Sequence, residues 1–151
     1  MARKNEGAKH DASLLATLRL IRTYGVGPLT YHRLLAHAGG DPVQALKLAP
    51  ELASKCGKPL TLAPQSVAEK EIEIAHKNGC FLLSIHDPDY PDALQQIEDA
   101  PPILHCMGQK GVLKRNRPLA VVGARNASAH ARQWTKRACR EVSAKGVTVI
   151  S

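Results

Sequence analysis

The last third of the chain, residues 119–151, contains the pattern that most constrains the fold. Residues 119–122 (LAVV) form a short apolar run, which is typical of a strand buried on both faces. Ser128 stands where a helix N-cap is expected, and the pattern predicts a helix over residues 129–145. Residues 147–150 (VTVI) form a second predicted strand. Two buried strands joined by one helix predict a parallel β-α-β crossover.

The predicted helix has one apolar and one basic side. Its apolar positions share one face by helical spacing: Ala131, Thr135, Ala138 and Val142. A basic stripe at i, i+4 and i+8 faces the other way: Arg132, Lys136 and Arg140. A solvated helix face and a phosphate-binding track are equally open readings of this stripe. Trp134 lies beside the apolar face, where packing is favoured over base stacking.

The segment between the first strand and the helix predicts an anion site. In open α/β sheets, ligands bind beyond the carboxyl ends of the strands, near helix N-termini. A glycine permits close approach of a ligand, the helix end offers N–H groups, and an arginine offers a two-pronged donor; all three suit phosphate. The predicted DNA- or phosphate-binding residues here are Gly123, Arg125, Asn126 and Ser128, followed along the helix by Lys136 and Arg140.

Charge is strongly segregated along the chain. The formal net charge is +8 and the pI is about 9.6. Residues 103–145 contain one acid, Glu141, and ten basic residues: Lys110, Lys114, Arg115, Arg117, Arg125, Arg132, Lys136, Arg137, Arg140 and Lys145. This distribution favours a polyanionic partner, with nucleic acid first and an acidic membrane surface second.

The sequence gives little support to a metalloprotein, a disulfide-rich protein, or a secreted or membrane protein. The four cysteines are isolated, which argues against a zinc site or a disulfide framework and favours a reducing, cytoplasmic setting. No signal peptide or membrane span is expected, because no apolar run approaches the ~20 residues that a span needs. Histidine spacing suggests no metal ligands, and Asp87 and Asp89 lie in a predicted turn. No cofactor is therefore expected.

The N-terminal part predicts a small helical domain. Residues 1–11 are expected to be a disordered lead, followed by helices over residues 13–24 and 30–38. Between them, Gly25 and Gly27 form a turn that resembles a helix-hairpin-helix unit, in which backbone N–H groups contact a DNA phosphate. A simple tight helix connection is the alternative. Asp41 and a following proline open a third helix, predicted to end near residue 48.

The middle of the chain predicts the start of an α/β layer. Ser66 and Glu69 match a capping box for a helix ending at residue 78. Strands are predicted over residues 80–85 and 103–107, with a short helix over 92–97. With the C-terminal crossover, the second half reads as one sheet layered with helices.

Three sequence segments together resemble the DprA/Smf family of DNA-processing proteins. They are LRLIRTYGVGPLTYHRLL, DPDYPDALQQIEDAPPILHCMG and VVGARNASAHARQWTKRACREVSAKGVTVIS. The family pattern is a Tyr-Pro-x-x-Leu phrase with a following Pro-Pro, then a strand ending in Val-Gly-x-Arg. The resemblance covers almost the whole chain from about Ser13.

The resemblance implies a SAM-like helical domain over residues 12–63 and the first part of a Rossmann-like domain over residues 64–151. It implies a cytoplasmic, non-enzymatic homodimer that binds and protects single-stranded DNA during natural transformation and helps load RecA for homologous recombination. By position, Gly123 and Arg125 match the family's Gly-x-Arg at the DNA pocket. Ser151 matches the first residue of a Ser-Gly-x-Ala-x-Gly-x-Asp loop that lines the same pocket.

The sequence departs from the family pattern at two points, and two alternative functions remain open. The family pattern continues beyond Ser151, so we expect the chain to be part of a longer protein, and His130 stands where the family has a small residue. One alternative is a Rossmann-fold nucleotide phosphoribohydrolase, whose Pro-Gly-Gly-x-Gly-Thr-x-x-Glu signature is absent from this sequence. The other is a helix-hairpin-helix module that binds only duplex backbone.

Overall fold

Two compact units make up the chain, Met1–Lys110 and Gly111–Ser151. The computed structural model describes residues 2–114 and 117–151, so Met1, Arg115 and Asn116 lie outside the described residues. In chain order the elements are α1 (Ala2–Ile21), α2 (Pro28–His37), α3 (Pro42–Lys55), α4 (Gln65–Lys77), β1 (Cys80–Ser84), α5 (Asp92–Gln95), β2 (Ile103–Met107), a 3₁₀ turn (Lys110–Val112), β3 (Pro118–Ala120), α6 (Ala129–Ala144) and β4 (Thr148–Ile150). The predicted fold class is confirmed: a helical hairpin domain precedes an α/β segment.

Helix α1 is the central element of the first unit. Leu20 belongs to a core cluster that includes Val26, the α2 residue Tyr31 and the α3 residue Ala49. Leu18 belongs to a second cluster that reaches α4 and both strands of the unit: Ala68, Ala75, Leu82 and Ile103. Positions two residues apart differ by about 200° around a helix, so α1 packs against neighbours on two opposite sides.

The division between the two compact units falls at Lys110, and the predicted domain boundary at residue 63, which stays a prediction, lies inside the first unit. Packing explains the difference, because α4, β1 and β2 bury their apolar side chains against α1. Arg22, which directly follows α1, also pairs with Glu71 of α4 at 2.7 Å. The predicted helical domain and the start of the predicted Rossmann-like domain therefore share one core.

The sequence predicts a disordered lead over residues 1–11, but in the structure α1 extends back to Ala2. Residues 2–11 contain no proline and are rich in alanine, lysine and arginine, which favour helix. His10 also contacts Asp87 at 3.2 Å, which ties this part of α1 to the loop after β1. Neither α1 nor any other helix in residues 2–114 and 117–151 is long and apolar enough to cross a membrane.

Helix α3 begins as predicted but continues further. The Asp41 carboxylate caps it by accepting a hydrogen bond from the Val43 N–H at 2.8 Å. The helix then passes through Pro50, although a proline inside a helix removes one backbone hydrogen bond. Ala49 is fully buried and Leu52 packs against the same core, so tertiary contacts hold the helix together on both sides of Pro50.

The predicted capping box at the start of α4 is wrong. The helix begins one residue before Ser66, with Pro64 at the N-cap position and no side-chain cap. The Gln65 amide instead donates to the Glu69 carboxylate at 2.8 Å. Proline's fixed backbone angle suits this position, and it starts the helix without a capping hydroxyl.

Strands β1 and β2 form their own antiparallel pair, from Cys80 opposite Met107 to Ser84 opposite Ile103. The prediction of one continuous layered sheet is wrong for the described residues, because β3 and β4 form a separate pair. The chain reverses after β1 at Asp87, whose carboxylate accepts a hydrogen bond from the Ser84 N–H at 2.6 Å. A reversing chain requires no crossover helix, which makes antiparallel pairing the natural outcome.

The second unit is the predicted parallel crossover. Strand β3 pairs with β4 in register from Pro118 opposite Thr148 to Ala120 opposite Ile150, with α6 between them in the chain. Gly146 follows α6 with φ +78°, as a C′ glycine should. The prediction of strands buried on both faces is wrong: Leu119, Val122 and Ile150 are exposed. A single helix packed on two short strands cannot cover both of their faces.

The apolar face of α6 is only partly as predicted. Thr135, Ala138 and Val142 are half-buried, together with Cys139. Ala131 is exposed because it lies in the first turn of the helix. The helix therefore packs through its last three turns.

Candidate nucleic-acid interface

One edge of the β3–β4 sheet gathers most of the predicted binding residues. The strands are parallel, and the Val121 N–H donates to the Ile150 carbonyl at 2.8 Å just beyond the paired positions. The segments that follow both strands consequently emerge at the same edge. These segments carry Gly123, Arg125, Asn126 and Ser128 after β3, and Ser151 after β4. All five residues are exposed.

The N-terminus of α6 adjoins this edge. Ser128 caps the helix, and its hydroxyl oxygen accepts a hydrogen bond from the Ala131 N–H at 3.2 Å. The N–H groups of Ala129 and His130 belong to the first turn, where a helix provides no carbonyl acceptor. The helix dipole adds partial positive charge at this end. The arrangement can accept an anion through backbone N–H groups and the Ser128 hydroxyl.

The fold of the described residues requires neither a glycine at position 123 nor an arginine at position 125. A Cβ at Gly123 would meet no atom within 4 Å, and its φ lies outside the left-handed region. The missing side chain therefore leaves the loop backbone open to a ligand. In residues 2–114 and 117–151, the Arg125 guanidinium has no hydrogen bond or ion pair, so its donors are available.

Lys136 and Arg140 lie away from this edge. They are about 12 and 18 Å along the helix from Ser128, since each residue advances ~1.5 Å. Both line a shallow concavity on α6, together with Trp134 and other residues of the same helix. The structure thus separates the predicted set into an edge group and a helix-surface group.

Two exposed aromatic residues were not predicted as candidate contacts. Trp134 is 57% exposed, so the expected packing against the apolar side of α6 does not hold. The half-buried face of the helix is occupied by small side chains, and Trp134 lies at its margin. Tyr24 is 97% exposed directly before the hairpin turn. An aromatic residue next to a Gly-x-Gly turn was the sequence signal that could have marked it.

The helical hairpin contains two glycines with different roles. Gly25 has φ +83°, a conformation that favours glycine. Gly27 is the N-cap of α2 with φ −93°, and a Cβ there would meet no atom within 4 Å. Val26 between them is buried. Only Gly25 is therefore required by the turn, and Gly27 leaves an exposed backbone at a helix N-terminus.

The arginines near the hairpin are mostly engaged within the first unit. Arg19 donates to the Ala63 carbonyl at 3.1 Å, and Arg22 donates two hydrogen bonds of 2.7 Å to Glu71. The hydrogen bond to Glu71 raises the pKa of Arg22, and the same contact lowers the pKa of Glu71. Arg33 is exposed and has no polar partner in the described parts of the chain.

A buried polar chain lies elsewhere in the first unit. The Tyr31 hydroxyl is 3.1 Å from the Thr17 hydroxyl and 3.0 Å from the His86 ring nitrogen. Burial raises the pKa of Tyr31 to about 12, and burial lowers the pKa of His86. These hydrogen bonds link α1, α2 and the loop after β1, so the three side chains have a structural role.

Comparison with known families covers both parts of the chain. A family described as "DprA-like N-terminal HHH domain" matches residues 11–74. A second, "DNA recombination-mediator protein A", matches residues 81–151. The first match ends within α4 and the second begins within β1, so the gap between them lies inside the first compact unit.

Two characterised relatives match at moderate identity. DNA processing protein DprA of Bacillus subtilis is 29% identical over 75 residues, covering 50% of this chain and 25% of that protein. Protein Smf of Synechocystis sp. is 30% identical over 82 residues, covering 52% of this chain and 20% of that protein. The matched region thus spans a quarter or less of each relative. Taken together, these matches show that the chain belongs to the DprA/Smf family, whose N-terminal portion it resembles.

Proposed function

We propose that this protein is a non-enzymatic, single-stranded DNA-binding recombination mediator. In this role it protects incoming DNA and helps load RecA during natural transformation, as a cytoplasmic homodimer. The observation that carries the proposal is the exposed edge of the β3–β4 sheet, where Gly123 and Arg125 adjoin the N-terminus of α6. This edge lies in a segment with a single acid, Glu141, among many basic residues.

The chemistry of the edge supports a polynucleotide backbone as ligand. Backbone N–H groups and an unpaired guanidinium bind phosphate oxygens without contacting base edges, so they position a strand and do not read its sequence. Ser151 and Asn126 add polar groups to the same edge. The exposed Gly25–Gly27 turn is proposed as a second phosphate contact, made through the N-terminus of α2.

The proposed partners rest on the family. The Bacillus relative is named a DNA processing protein, and the matching family is described as a recombination mediator. RecA loading and dimerisation are proposed for this protein on the strength of that membership.

The test is binding of labelled oligo-dT, measured by fluorescence anisotropy over a series of salt concentrations. Each phosphate contact to a single strand contributes about 0.7 to the slope of log K against log salt. Arg125→Ala should therefore weaken binding severalfold and reduce the slope by roughly 0.7.

Arg33→Ala is the matched control, because it removes the same charge from an exposed arginine in the first unit. We expect it to leave oligo-dT binding nearly unchanged. Equal losses of oligo-dT affinity in Arg125→Ala and Arg33→Ala would contradict a specific site at the edge and indicate that only the overall positive charge matters. A preference for duplex that Gly27→Ala abolishes would favour the hairpin as the binding module, because Gly27 leaves its backbone exposed at the N-terminus of α2.

A further inference from the structure

Trp134 exposes a large aromatic surface that the fold does not use. It is the single tryptophan of the chain, and 57% of it is exposed. The half-buried side of α6 is formed by other residues, including Thr135, Ala138 and Val142. Leaving an indole in water forfeits about 25 cal/mol for each Å² of apolar surface that could be buried. Tryptophan is enriched at binding interfaces, so an exposed indole that packing does not explain is a candidate contact surface.

The surroundings of Trp134 are basic and open. It lines a concavity of about 520 Å³ with five neighbours from the same helix: His130, Gln133, Lys136, Arg137 and Arg140. We call these six residues the Trp134 surface. A concavity formed by a single helix is a shallow groove between side chains, open to solvent along its length. Among the residues that the structure describes, no acidic side chain lines it.

The cations of this surface are available to a ligand. Among residues 2–114 and 117–151, neither Lys136 nor Arg137 nor Arg140 has a hydrogen bond or an ion pair. Arg137 lies three residues after Trp134 and His130 four residues before it, so both are neighbours of the indole on the helix. The surface therefore presents one aromatic face with the Arg137 guanidinium on one side along the helix axis and the His130 imidazole on the other.

We propose that the Trp134 surface binds single-stranded polynucleotide, with one base stacked on the indole and the adjacent phosphates held by Arg137 and Arg140. The inference rests on the proposed function and extends the DNA path from the sheet edge along α6. Charge complementarity selects a polyanion, and the exposed ring selects one with flat aromatic groups. A duplex hides its base faces in the stack, so the ring favours a single strand. This combination is the usual one for sequence-tolerant binding.

The intrinsic fluorescence of Trp134 gives a direct test, since no other tryptophan contributes. The protein is titrated with oligo-dT and with an abasic oligonucleotide of equal length, while anisotropy of a labelled strand reports binding independently. Oligo-dT should quench Trp134, whereas the abasic strand should bind through its phosphates with little quenching. Trp134→Leu should weaken oligo-dT binding about fivefold to thirtyfold, the lower part of the range for one stacked base, and leave abasic binding nearly unchanged.

The outcomes separate this inference from the proposed function. Oligo-dT binding without quenching would overturn the stacking role and leave the proposed function intact. Equal affinities of the original protein and Trp134→Leu for oligo-dT would do the same. If neither strand bound, both proposals would fall. Trp134→Tyr serves as a second variant, and it should retain most of the preference for oligo-dT over the abasic strand, because stacking needs an aromatic ring.

Discussion

Replacing Glu71 by glutamine tests which contact holds the first unit together. Its carboxylate accepts two 2.7 Å hydrogen bonds from Arg22, which directly follows α1, and is 2.9 Å from a ring nitrogen of His105 in β2. It therefore joins three elements. Glu71 is 18% exposed and Arg22 is 40% exposed, so solvent partly screens the pair. A fully exposed pair contributes about 0.2–1 kcal/mol, and a hydrogen bond to a charged group ~1.5–3 kcal/mol.

The expected loss on Glu71→Gln lies between those ranges, at about 1–2 kcal/mol of unfolding free energy. The matched control is Glu73→Gln on the same helix. Glu73 pairs with Lys77 at 2.7 Å, but both side chains are well exposed, and such helical pairs contribute only ~0.2–0.5 kcal/mol. Urea unfolding followed by far-UV circular dichroism reports chiefly on the first unit, which contains α1–α5.

The pH dependence provides a second readout. The contact with Arg22 lowers the pKa of Glu71 from its usual 4.5 in the folded protein. The stabilisation is therefore present above pH 4.5 and is lost as the pH falls through the folded pKa. The gap between the original protein and Glu71→Gln should narrow in acid, whereas a constant gap would refute the electrostatic reasoning. Equal losses from Glu71→Gln and Glu73→Gln would refute the structural assignment.

Two further predictions concern the first unit. Tyr31→Phe removes a buried hydroxyl bonded to Thr17 and His86 and should cost about 1–2 kcal/mol in urea unfolding. Because burial raises the Tyr31 pKa from 10.0 to about 12, the original protein should also lose stability between those pH values, and the variant should lack this loss. Gly25→Ala should destabilise by roughly 1–2 kcal/mol, since its φ is +83°. Gly27→Ala should leave stability nearly unchanged, so any loss of DNA affinity in it would report a lost backbone contact.

Local structure was predicted correctly from the sequence where a few neighbouring residues determine it. The Asp41 cap, the Ser128 cap and the Gly146 C′ position depend on neighbouring residues alone, and all three are confirmed. The parallel crossover followed from the spacing of two apolar runs and one amphipathic helix, and it is confirmed as well.

Long-range packing accounts for most of the differences. Pro50 indicates a helix end locally, but burial of Ala49 against α1 and its neighbours holds α3 together beyond it. The pairing of β1 with β2 depends on the reversal at Asp87, and a strand pattern does not specify its partner. The apolar run at the start of β3 predicts burial, but burial depends on the elements that cover a strand, and these lie outside the local pattern.

Trp134 shows where the prediction of the site was incomplete. By position it lies at the margin of the apolar side of α6, and large aromatic residues at such margins usually pack. Packing requires an opposing surface wide enough to reach the margin, and the two described strands of this unit pair over only three residues each. The half-buried positions of α6 carry small side chains, so the helix can sit close to the strands without Trp134. The ring is thereby left exposed beside Arg137, and it lines one concavity with Lys136 and Arg140, two members of the basic stripe. The phosphate track that we propose gives the indole and the cations beside it a shared ligand, whereas a solvated face does not account for an exposed indole.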